Sequence, residues 1–139
     1  MTLRPRACLG PPLGNARSEW GSTSVQMVIL MPVLFSVMFL GLQAALFYHA
    51  RTVAIAAAQE GARAAGAETG SASEGIAAAT SFVAAAGGSD VIENASVSGS
   101  RSAIQASVTV RGAALSVIPG WHPIVQQSAT VPVERITTG

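Results

Sequence analysis

The sequence predicts an α+β protein: a long N-terminal transmembrane helix running on into an Ala-rich extramembrane helix, a second short helix, and a small antiparallel three-stranded sheet. Three observations carry this expectation. Between Trp20 and Ala50 the only ionisable basic or acidic side chain is His49. Small residues then recur at helical spacing up to Ala67. Beyond Gly87-Gly88 the apolar period shortens to two, which is the period of a half-buried strand.

The chain has 139 residues, enough for one small domain, and only 11% of them are charged. Soluble globular chains carry about 25% charged residues, so the shortfall needs a cause, and one segment supplies it. Val25–Phe47 reads VQMVILMPVLFSVMFLGLQAALF. At about 1.5 Å per residue it spans roughly 35 Å of helix, against about 30 Å of hydrocarbon. Thirteen of its residues are Leu, Ile, Val or Phe. At about −0.3 to −0.6 kcal/mol each, they favour insertion by roughly 4–8 kcal/mol. Gln26, Pro32 and Gln43 lie away from the middle and do not reverse the sign. A buried soluble helix is ordinarily shorter, and so is the apolar core of a cleaved secretory signal. Ala54-Ile55-Ala56 does, however, offer a small-x-small cleavage site.

The elements follow in order. Residues 1–21 are rich in Pro, Gly and Arg without apolar periodicity, and are expected to be a disordered leader. Residues 22–67 are expected to be one helix, beginning near Ser22–Ser24, where hydroxyl side chains can cap it. Pro32 is expected to kink it, because the ring removes one backbone hydrogen bond. Tyr48 and Arg51 suit a membrane–water interface, as an amphipathic ring and a snorkelling cation. Beyond them Ala57, Gly61 and Ala65 form one ladder of small residues, and Ala54, Ala58, Ala62 and Gly66 another. Such ladders let a second helix approach closely, and they also arise in any Ala-rich helix. Gln59, Glu60 and Arg63 share one turn and form a solvated face.

Residues 71–139 are expected to form a small α+β domain. Ser71 and Glu74 match a capping box ahead of a helix at Gly75–Ala86, stopped by Gly87-Gly88. Ile104, Ala106, Val108 and Val110 alternate with polar residues in a one-sided strand. A partner strand lies around Val91–Ser98, joined through Gly99-Ser100-Arg101. Ala129, Val131 and Val133 mark a third strand, where Pro132 argues for an edge. The apolar loop Leu115–Val125, LSVIPGWHPIV, is expected to pack over the sheet, with contact to a partner or to the membrane surface as the alternatives.

A net charge of +1 leaves no Lys/Arg stripe for phosphates, so a nucleic-acid partner is not expected. Cys8 is the only cysteine and is read as an incidental thiol. His49 and His122 have no carboxylate at metal-ligand spacing, and no phosphate loop or nucleophile elbow is present, so no cofactor and no enzymatic activity are expected. Arg4, Arg6 and Arg17 precede the span, opposed by Glu19, while Arg51 and Arg63 follow it. The bias toward a cytoplasmic N-terminus is mild.

Gly21-Ser22-Thr23-Ser24-Val25-Gln26, then Pro32, Gly41, Tyr48, Arg51 and Gln59-Glu60-Gly61-Ala62-Arg63 together resemble the TadE/TadG-like family. Its members are minor pilins or pseudopilins of the tight-adherence (Flp) pilus machinery. The resemblance covers about residues 18–136. It implies a prepilin-type leader cut between Gly21 and Ser22 by a prepilin peptidase, and other pilus-assembly or pilin-like subunits as partners. It also implies a single-pass position in the cytoplasmic membrane, with the C-terminal domain extracytoplasmic. The chain departs from the prepilin pattern at Gln26, the assembly position, where the pattern carries Glu. An amide there offers a hydrogen bond without charge assistance, which fits an accessory or priming subunit better than a shaft subunit. A second reading stays open: an unprocessed signal-anchored envelope protein whose exposed domain binds another membrane protein or a cell-wall component.

Overall fold

The computed structural model describes residues 19–135, with side chains from Ser24 onward; most of the leader expected over residues 1–21 lies outside the described residues. The fold is α+β, in the order α1 (Glu19–Gly66), α2 (Ala72–Ala85), β1 (Ile92–Arg101), β2 (Gln105–Ala114) and β3 (Ile124–Pro132). The chain divides into two compact units, one ending at Val37 and the other beginning at Met38.

In the first unit α1 continues through Pro32 as helix. The Ser36 hydroxyl donates to the Pro32 carbonyl at 2.7 Å. The helix begins at Glu19, ahead of the expected start at Ser22, because nothing between Glu19 and Val25 breaks a helix except the single glycine.

The second unit is a three-stranded antiparallel sheet in the order β1-β2-β3, with one face covered by helix. Its core joins the second half of α1 (Ala50, Val53, Ala54, Ala57, Ala58, Ala62, Ala65) to Ala79 and Val83 of α2. From the sheet come Ile92, Ala106, Val108, Val110, Ala114 and Val125. Ile92, Val108 and Val110 are the largest fully buried side chains. Each contributes about 1.5–3 kcal/mol by leaving water. The rest of the core is alanine apart from Val53, Val83 and Val125, so its stability rests on close backbone approach more than on bulk. The outer face carries hydroxyls, among them the cross-strand pairs Thr109–Ser128 at 3.0 Å and Thr130–Ser107 at 3.2 Å.

Ser71 caps α2 as expected, while Glu74 reaches back to the Ser71 hydroxyl. Ser71 Oγ accepts from the Glu74 backbone N–H at 3.2 Å and lies 3.0 Å from Glu74 Oε2. With Ser71 as the cap, α2 starts at Ala72 rather than Gly75. It ends where Gly87 takes φ 121°.

Two expectations about the β1–β2 hairpin are corrected. Gly99-Ser100-Arg101 is not the connection: these residues belong to β1 and pair with Val108, Ser107 and Ala106. The turn lies at Ser102–Ile104, where the Ser102 hydroxyl accepts from the Ile104 and Gln105 N–H groups and the Ser102 N–H bonds Gln105 O at 2.8 Å. Gly99 is small because α2 sits on it; a Cβ there would lie 3.1 Å from Ile76 Cγ1 and 3.3 Å from Ala72 O. Ile104, expected on the inward face with Ala106, is instead 70% exposed in that turn.

β3 starts at Ile124, earlier than the alternation from Ser128 suggests, and Val125 extends its buried face. It is an edge strand, and Pro132 pairs with Gln105 at its end. The loop before it keeps contact with the sheet, where His122 Nδ1 lies 3.4 Å from Glu93 Oε2 of β1. It docks on α1 through Gln43, because that amide supplies the acceptor its turned backbone needs.

Candidate functional site

From Val25 to Leu42 every residue except Gln26, Pro32, Ser36 and Gly41 is a large hydrophobic, each 46–73% exposed. Soluble monomers rarely leave more than a few hundred Å² of contiguous apolar surface uncovered. A helix apolar on all sides requires an apolar surrounding. Within the helical stretch Ser24–Gly66 it is the one span among the described residues long and apolar enough to cross a membrane. Gln26 is exposed near its start. The backbone of Gly21 and Ser22 lies in the first turns of α1, so the bond between them sits inside helix.

The first buried residue along the described part of α1 is Gln43, which is 2% exposed. Its Oε1 accepts from the Val117 N–H at 2.9 Å and from the Ser116 hydroxyl at 3.1 Å. The Ser116 hydroxyl in turn receives the Ile118 N–H at 3.1 Å. A glutamine inside an apolar run thus becomes the anchor for a loop more than seventy positions away. Beyond it Tyr48 and Arg51 are exposed, with the Tyr48 ring edge-on to Phe47 at 5.9 Å.

Ala57, Gly61 and Ala65 are buried, and the helix that approaches them is α2 of the same chain. A Cβ on Gly61 would lie 2.6 Å from Gly75 O, 2.9 Å from Ala79 Cβ and 3.0 Å from Val108 Cγ1; one on Gly75 would lie 2.7 Å from Ala65 Cβ. The second ladder, Ala54, Ala58, Ala62 and Gly66, is buried as well; a Cβ on Gly66 would meet Val131 of β3 at 2.6 Å. Gln59, Glu60 and Arg63 remain exposed, and Glu60 and Arg63 pair at 3.5 Å.

Arg101 holds the end of α1. Its guanidinium donates to the carbonyls of Ala65, of Ala67 at 2.7 Å and of Glu68 at 3.2 Å. The Glu134 N–H adds a bond to Gly66 O at 2.9 Å. The last carbonyls of a helix lack partners within it and carry its negative dipole end, so a cation suits them. Assigning Arg101 to a turn hid this role. The alternation of Ser96, Ser98 and Ser100 against Val97, Gly99 and Arg101 was the signal that reveals it.

His49 and His122 stand apart from any metal-binding cluster; among the described residues no three His, Cys, Asp or Glu side chains gather in one place. His122 Nδ1 lies 3.4 Å from Glu93 Oε2.

The glycine preceding the apolar span, the span itself and the Gln59–Arg63 block all fall within α1. Residues 21–63 match the family model for TadE-like protein. The TadE-like segment therefore comprises the exposed span together with the part of α1 that packs on α2 and the sheet. Its Gly61 is the residue at the α1–α2 crossing. No curated protein and no solved structure matches the chain.

Proposed function

We propose that this chain is a membrane-anchored, pseudopilin-like structural or assembly component of a tight-adherence (Flp, type IVb-like) pilus or a related secretion apparatus, and that it acts without catalysis. The observation that carries the reading is the TadE-like match, which opens at Gly21 and runs through a helix whose Val25–Leu42 surface is apolar and uncovered. In this reading α1 crosses the cytoplasmic membrane once, with its N-terminus cytoplasmic and the sheet outside. Its partners are the lipid bilayer and other pilus-assembly or pilin-like subunits.

A prepilin-type peptidase cuts between Gly21 and Ser22. That bond lies inside helix, so the backbone must open locally before it is cut. Glycine is about 1 kcal/mol less favourable in a helix than alanine, which makes Gly21 the least costly place to unwind. Gln26 then gives the mature N-terminal segment an uncharged polar group, which suits an accessory or priming position.

The reading is tested by N-terminal sequencing of the protein from alkali-washed membranes. The mature chain begins at Ser22, and Gly21→Leu leaves a heavier, unprocessed band. A band unchanged by Gly21→Leu sinks the processing assignment, and retention of the leader in the native chain favours the unprocessed signal-anchor instead.

A further inference from the structure

Where the docked loop meets α1, a groove of about 350 Å³ opens between Leu40, Ala44, Phe47 and Tyr48 on one side and Trp121 and Pro123 on the other. Its exposed lining is wholly apolar. We propose that this groove is a lipid-contact surface, taking the ester end of a bilayer phospholipid and holding Trp121 in the interfacial layer. The inference rests on the membrane-anchor reading and deepens it.

Three observations choose a phospholipid as the occupant. The first is depth. Residues 25–42 rise about 27 Å, close to the roughly 30 Å of hydrocarbon, so the residues just after them fall where acyl chains give way to headgroups. Leu40 belongs to both the uncovered span and the groove wall, so the two surfaces are continuous.

The second is chemistry. Tyr48 and Trp121 are 62% and 49% exposed, and Ile124 beside the loop is 62% exposed. Phenol and indole rings favour the layer where one end is apolar and the other wet. A loop facing water alone gains nothing from exposing Trp and Ile together.

The third is a polar atom with no partner. The Val117 N–H fixes which end of the Gln43 amide is oxygen, and the other end, Nε2, is buried without an acceptor among the described residues. A buried N–H lacking an acceptor costs about 1–3 kcal/mol. Among the groups found at that depth, the glycerol-ester carbonyl is an acceptor, and Gln43 itself lines the groove. A protein helix is a poorer fit, because close helix contact needs small residues and this groove is walled by large ones.

The test uses the full chain in phosphatidylcholine vesicles, with Trp20→Phe leaving Trp121 as the only indole. Acyl chains brominated near the ester end are compared with chains brominated near the methyl end. Trp121 is expected to lose more emission to the shallow label than to the deep one, at every protein-to-lipid ratio. No loss to either label, with Trp121 open to an aqueous quencher, overturns the proposal. A loss that fades as protein is concentrated assigns the groove to a second copy of the chain and overturns it too. A companion chain carrying Trp20→Phe, Trp121→Phe and Phe35→Trp separates the two levels of inference. If Phe35→Trp is quenched by the deep label while Trp121 is untouched, the anchor stands and the groove assignment falls. If neither responds, the anchor itself is refuted.

Discussion

Replacing Gly61 by alanine sets helix propensity against packing, and the structure decides the sign. Gly61 lies inside α1, where Gly→Ala alone stabilises by about 1 kcal/mol. The new methyl, however, would sit 2.6 Å from the Gly75 carbonyl oxygen, 2.9 Å from Ala79 Cβ and 3.0 Å from Val108 Cγ1. Comfortable contacts lie near 3.5–4.0 Å, so the crossing must widen by about 1 Å. The closest atom is backbone, and three neighbours on two elements would have to move together, so no single side chain can yield. Overpacking of this kind costs about 1–3 kcal/mol, and here the upper part of that range applies. The net loss is about 1–2 kcal/mol. For a unit of this size that lowers the unfolding midpoint by about 5–15 °C. Thermal unfolding of the full chain in detergent, followed by circular dichroism, measures it. Gly41→Ala is the control: on the same helix, its Cβ would meet nothing within 4 Å, so its midpoint holds or rises. If Gly61→Ala matches Gly41→Ala, the crossing is not sterically closed and the reasoning fails.

The remaining stability predictions use the same assay. Arg101→Leu removes a charged donor from three carbonyls at the end of α1 and is expected to cost about 2–3 kcal/mol. Arg101→Lys restores only part of this, because one ammonium cannot span the three carbonyls as the planar fork does; full rescue by Lys would show that charge alone matters. Ser71→Ala removes the N-cap of α2 and is expected to cost about 1 kcal/mol, whereas Ser71→Asp keeps most of the stability; an unchanged midpoint in Ser71→Ala refutes the capping role.

Local periodicity made much of this fold legible. The apolar span, the Ser71 cap and the inward faces of β2 and β3 each rest on residues a few positions apart. What failed was contact order. Gln43 reads as a tolerated polar residue in an apolar run, and only the folded chain brings Val117 to it. Gly99 reads as a turn because glycine often is one, yet here it makes room for α2. Ile104 continues the alternation of β2 by pattern, but Ser102 captures two N–H groups and holds Ile104 in the turn, so β2 starts one residue later, at Gln105. The small-residue ladders were legible as packing surfaces, while the element that packs on them was not.

Helices associate closely in lipid where small residues let their backbones approach. On α1 such residues are concentrated at Ala54–Gly66, and α2 and the sheet already cover them. Between Ser24 and Leu42 the small residues are Ser24, Ser36 and Gly41, too widely spaced to make a four-residue ladder. Under the proposed function, a neighbouring subunit would meet a mostly bulky aliphatic span, with Gly41 and Ala45 as an exposed small pair four residues apart, or the hydroxyl-rich outer face of the sheet. Substitutions at Ala57, Gly61 or Ala65 are expected to loosen the fold, whereas substitutions at Ser36 or Gly41 are expected to leave the folded unit intact and to change only what meets the span. Comparing the two sets separates loss of folding from loss of contact, a distinction that the spacing of alanines and glycines alone does not make.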